Sequence, residues 1–111
     1  MNRKKSVKIL SGMIYCYYNL GIEELDINIK KDSKTIYISL EGFIDHLDKN
    51  KIDEMNRMLN VTRQAQVEEY YWELIGENSY KEQLNLIGMV TDEALVEYKD
   101  RRLKVKLSCP R

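Results

Sequence analysis

Apolar and polar residues alternate in two stretches of this chain, and each stretch doubles back across a short polar run. In the first, Leu25, Ile27 and Ile29 share one face and Ile36, Ile38 and Leu40 share one face. A turn at Lys31-Asp32-Ser33-Lys34 sets Ile29 opposite Ile36, Ile27 opposite Ile38 and Leu25 opposite Leu40. In the second, a turn at Lys99-Asp100-Arg101-Arg102 sets Tyr98 against Leu103, Val96 against Val105 and Ala94 against Leu107. A slip of one residue would turn each apolar side chain to the wrong face, so both pairings are strongly specified. The intervening positions Asp26, Asn28, Lys30, Thr35, Tyr37 and Ser39 are mostly polar, which predicts a sheet covered on one side only.

Between and before the hairpins the period changes to that of helices. Ser6 is placed to cap a helix in which Val7, Leu10, Ile14 and Tyr17 recur at helical spacing, with Met13 and Tyr18 widening the stripe. Gly21 followed by Ile22 reads as its stop, glycine left-handed and an apolar residue folding back. Asp48 opens a second helix with Ile52, Met55, Met58 and Leu59 inward, ending near Asn60. Thr62 caps a third with Val67, Tyr70, Tyr71, Leu74 and Ile75, stopped by Gly76; Val61-Thr62 either divides these two or kinks one. Residues 84–90 suit strand or helix, and the capping box Ser79-Tyr80-Lys81-Glu82 decides for a helix from about Tyr80 to Glu93, with Gly88 a close-packing point.

The predicted fold class is therefore α+β. It is a two-layer α/β sandwich whose four-stranded, mainly antiparallel sheet comes from two hairpins, about 24–41 and 94–109. Three to four helices cover one face. Residues 1–5 read as a disordered basic terminus and 6–111 as a single domain.

At 111 residues, 43% apolar and 32% charged, the chain has the composition of an ordinary globular domain. Lys plus Arg and Asp plus Glu are equal at 18 each, so no global field draws it to nucleic acid or anionic lipid. Cys16 and Cys109 make no disulfide framework and, with no leader peptide read ahead of them, suit reduced thiols in the cytoplasm. The longest apolar stretch, near 13–18, is too short for a membrane span.

Candidate chemistry is sparse. His46 is the one histidine, set between Asp45 and Asp48, so histidine-based catalysis or metal binding would have to run through it. A solvated loop is the plainer reading of that segment. Neither cysteine sits in a setting that lowers its pKa. Glu69, Glu73 and Glu77 recur every four residues along one helix face beside Tyr70, Tyr71 and Trp72. Three consecutive aromatics span most of a helix's circumference, so one of them points away from the core. If Tyr70 and Tyr71 face inward, Trp72 stands exposed beside Glu68, Glu69 and Glu73, and with Glu77 on the same acidic row it forms a candidate protein-binding hot spot. The alternative is that Trp72 packs under the 76–83 connection. On the open sheet face, Lys30 and Tyr37 with Lys104 and Lys106 outline a sparse stacking platform. Asp26 and Ser39 share that face and one tyrosine is a poor ladder, so nucleic acid is not the expected partner.

The succession of elements resembles the ATP-binding domain of the GHKL superfamily, the histidine-kinase type. Tyr15-Cys16-Tyr17-Tyr18-Asn19 stands where that family has a glutamate, three residues and an asparagine; Asn19 fits and Tyr15 does not. Leu40-Glu41-Gly42-Phe43-Ile44 stands at Asp-x-Gly-x-Gly, where Gly42 fits while Leu40 and Ile44 replace the aspartate and second glycine. Gln83-Leu84-Asn85-Leu86 stands at the second glycine box with both glycines gone, and with them the close backbone approach to phosphate. The resemblance implies a degenerate nucleotide-binding domain without ATPase activity, its ligand site near Asn19, Gly42 and Asp45.

Two expectations follow. The first is a small cytoplasmic, non-enzymatic protein-interaction or regulatory domain that needs no cofactor, binds neither nucleic acid nor membrane, and partners another protein or itself as a homodimer. The second is the nucleotide-site relative, with Asn19, Gly42, Asp45 and His46 as ligand-binding residues.

Overall fold

The computed structural model describes residues 3–61 and 79–110. Strand β1 (Leu25–Lys31) pairs with β2 (Thr35–Phe43), and β3 (Glu93–Lys99) pairs with β4 (Arg102–Pro110). All pairings are antiparallel and the order is β1-β2-β4-β3, so the two hairpins meet along β2 and β4. Among the described residues three helices complete the fold: α1 (Arg3–Asn19), α2 (Lys49–Leu59) and α3 (Tyr80–Val90). The architecture is the α+β sandwich that the two hairpins predict.

The second hairpin has the predicted register, Ala94 opposite Leu107, Val96 opposite Val105 and Tyr98 opposite Leu103. Asp100 and Arg101 both take positive φ, 53° and 62°, as the two central residues of a type I′ turn must. The first hairpin is displaced by two residues from expectation: Ile27 faces Leu40, Ile29 faces Ile38 and Leu25 faces Gly42. The cause is Asp32. Its Oδ1 accepts from the backbone N–H of Lys34 at 2.8 Å and of Thr35 at 2.7 Å, an Asx turn that tightens the loop around Ser33-Lys34. A shift of two leaves each side chain on its predicted face.

Helix α1 starts at Arg3, so residues 3–5 are helical where a disordered terminus is expected, and Ser6 lies inside the helix, buried, rather than capping it. Arg and Lys are good helix formers, and Ser6 falls on the same side of the helix as Ile9 and Met13. The buried stripe is Ile9, Met13, Cys16 and Tyr17, whereas Val7 is 60% exposed and Leu10 and Ile14 are half-buried. Apolar residues occupy much of this helix's circumference, so packing selects the inner face. At its end Ile22 N–H donates to Tyr17 O at 3.1 Å and Gly21 N–H to Tyr18 O at 3.0 Å, with Gly21 at φ 87°. This is the predicted Schellman stop.

Ser79 Oγ accepts from Glu82 N–H at 3.4 Å, so the serine caps the start of α3 as the sequence predicts. The helix ends at Val90, short of Glu93, because Asp92 N–H donates to Ser108 O at 2.8 Å and draws the chain into the sheet. Gly88 meets α2 closely: a Cβ there would stand 2.7 Å from Met58 O and 2.8 Å from Leu59 O.

The helices form one layer in which α1 lies over β2, α2 lies against β3, and α3 fits between them. Beneath it Ile36, Ile38 and Leu40 of β2 and Leu103, Val105 and Leu107 of β4 are buried. Tyr17 reaches through this core to place its hydroxyl 3.0 Å from both Leu40 O and Leu103 O, which fastens α1 to the seam between the hairpins. The cover stops short of β1. Ile27 and Ile29, predicted in the core, are 41% and 44% exposed. No helix among the described residues is long and apolar enough to cross a membrane.

Candidate functional site

The residues expected to hold a ligand are Asn19, Gly42, Asp45 and His46. Asn19 is the last residue of α1 and exposed. Gly42 is buried in β2, where a Cβ would come within 2.5 Å of Ile22 Cγ2, so the room its missing side chain leaves is taken by Ile22. Asp45 faces Arg101 at 3.3 Å and His46 faces Asp48 at 3.6 Å, all on the surface. Among the described contacts, no hydrogen bond or ion pair joins any two of Asn19, Gly42, Asp45 and His46. Glu69, Trp72, Glu73 and Glu77 lie outside the described residues.

Among the described residues no cluster of three His, Cys, Asp or Glu side chains could hold a metal ion. Among the described residues three groups titrate far from their ordinary range, and all three move upward through burial. The Cys16 thiol is pushed up to about 12, and the Tyr17 and Tyr80 hydroxyls are raised as well. Burial disfavours their charged forms, so each stays protonated and Cys16 behaves as a small apolar side chain.

The open face of the sheet is a shallow concavity of about 630 Å³, lined in part by Asn28, Lys30, Tyr37, Ser39, Lys104 and Lys106. The lysines and tyrosine singled out in the sequence do share one surface. Carboxylates share it too. Cross-strand pairing sets Lys104 between Glu41 and Glu97, and Arg102 bridges Asp26 at 2.9 Å and Glu41 at 3.2 Å. The result is a mixed-charge surface.

The sharpest asymmetry lies at the two edges of the sheet. Along β3, the Asn56 side chain from α2 pairs with the backbone of Val96. Its Nδ2 donates to Val96 O at 3.4 Å, and its Oδ1 accepts from Val96 N–H at 3.3 Å. A side-chain amide here occupies the place of another strand, one of the ways native sheets blunt an edge. Along β1, no described residue makes such a contact.

The helical layer also leaves this side open. Cys16 Sγ lies 3.9 Å from Tyr80 O of α3. Val7, Ile14 and Tyr18 fall on the other flank of α1 by the 100° step of the helix. Because α3 and α2 lie toward β3, that flank faces the β1 side. Val7 and Tyr18 are 60% and 59% exposed there. Among the described residues, Ile27 and Ile29 and the outer flank of α1 therefore stand exposed toward the same side of the molecule. Alternation in the sequence assigns a face to Ile27 and Ile29 but carries no signal for whether a helix lies over them.

No family model, curated protein or solved structure matches this chain.

Proposed function

We propose that this is a protein-interaction domain and that it binds an extended polypeptide segment along the outer edge of β1. The observation that carries this reading is the contrast between the edges. Asn56 pairs with β3 at Val96, while β1 offers its backbone beside two exposed isoleucines. An added strand would satisfy the outward N–H and C=O groups of β1, giving affinity. Apolar residues at alternate positions of that strand would rest beside Ile27, Ile29 and the outer flank of α1, giving selectivity. The buried thiols Cys16 and Cys109 suit the reducing cytoplasm in which such a regulatory contact would operate.

Short synthetic peptides alternating isoleucine with Asp or Lys test the reading. The expected result is saturable binding that slows hydrogen exchange at the amides of residues 25–31 and is lost in the Ile27→Glu/Ile29→Glu variant. Unchanged exchange along β1 with every such peptide would overturn it. A domain that instead holds nucleotide near Asn19, Gly42 and Asp45 would gain melting temperature with ATP and magnesium.

A further inference from the structure

We infer that the segment which pairs with β1 is β1 of a second copy, antiparallel about a two-fold axis at Asn28. This deepens the strand-docking reading and rests on it.

The strand Leu25-Asp26-Ile27-Asn28-Ile29-Lys30-Lys31 complements itself. Asn28 is its midpoint, so centring there pairs the strand along its whole length. Ile27 then faces Ile29 of the second copy, and Ile29 faces its Ile27, on the side where both are exposed. On the other side Asp26 faces Lys30 of the second copy and Lys30 faces its Asp26. Opposite charges directly across a ladder attract, and apolar pairs across it pack.

Neighbouring registers lose this match. Centring on Ile27 sets Asp26 against Asn28, and centring on Ile29 sets Lys30 against Asn28. Centring on Lys30 puts like charges together. Within its own chain Asp26 already meets Arg102 at 2.9 Å through Oδ2. The incoming Lys30 would therefore join a carboxylate held in place. Antiparallel partners lie on the same face, so both helical layers fall on one side of a continuous eight-stranded sheet. The contact is isologous and closes on itself.

Light scattering on the full chain should give twice 13.2 kDa. Lys30→Asp leaves the Asp26–Arg102 bridge in place and should return the mass to that of one chain with its circular dichroism spectrum kept. Asp26→Lys/Lys30→Asp restores opposite charges in exchanged positions and should restore the dimer. Register is read by disulfide trapping. Directly opposed Cα atoms lie about 4.5–5.5 Å apart, within disulfide reach, so Asn28→Cys should cross-link under mild oxidation. Lys31→Cys should not, because its own counterpart would be six residues along, about 20 Å away.

A mass of one chain at every concentration would overturn the second copy as partner. Slowed exchange with the alternating peptides would in that case still support strand docking. A dimer in which Asn28→Cys fails to cross-link, or Lys31→Cys links equally well, would overturn the register. A dimer unmoved by Lys30→Asp would overturn the charge pairing.

Discussion

Where α2 and α3 come closest, Gly88 leaves no room for a methyl group, because the neighbours are the backbone oxygens of Met58 and Leu59. Alanine is the better helix former by about 1 kcal/mol, yet here its Cβ would force the helices apart. Gly88→Ala is expected to lower stability by about 2 kcal/mol net, as overpacked sites do. An unchanged or higher urea midpoint would show that α2 moves aside freely. Tyr17 is the converse case, a large side chain whose value lies in one atom. Its single hydroxyl proton is shared between Leu40 O and Leu103 O. Tyr17→Phe keeps the ring and leaves both carbonyls without it, so a loss of about 1–2 kcal/mol is expected in urea denaturation. A variant as stable as the parent would mean those carbonyls find other donors.

Elements were legible in the sequence in proportion to how local their causes are. The second hairpin could be read to the residue because three apolar positions on each strand mirror one another across Asp100-Arg101. The first kept its faces but moved by two, since the decisive group, the Asp32 carboxylate, acts on backbone N–H groups rather than through apolar pattern. The Gly21 stop and the Ser79 start are likewise local chemistry. The inner face of α1 was not legible, because several faces of that helix are apolar and distant partners choose between them. Nor was the exposure of Ile27 and Ile29, which depends on where a helix ends sideways. The candidate ligand residues rested on a resemblance in element order and on single matching residues, and among the described contacts no hydrogen bond or ion pair joins any two of them. The most telling side chain, Asn56, carries no motif at all; its role appears once α2 lies beside Val96. Asn56→Leu should therefore speed exchange of the Val96 amide and cost about 1–2 kcal/mol. Parent-like protection at Val96 would show that another group shields it.

At the scale of the whole molecule, the buried acids set a limit on pH. Folding holds Cys16 protonated far above its ordinary 9.0, up to about 12, and raises Tyr17 and Tyr80 also. A group whose folded pKa is raised contributes stability that is complete below its unfolded pKa and drains away as pH climbs toward the folded one. Melting temperature should thus stay level up to about pH 9 and fall progressively beyond it. A level profile well past that point would mean the three groups ionise without leaving the core. The Asn56 contact on the β3 edge has a consequence of another kind. A unit able to recruit neighbours on both margins would lengthen without limit, as fibrils do. If β1 pairs with a second copy as inferred above, the Asn56 contact on the other margin leaves each molecule one edge to offer, and growth would end at the first encounter.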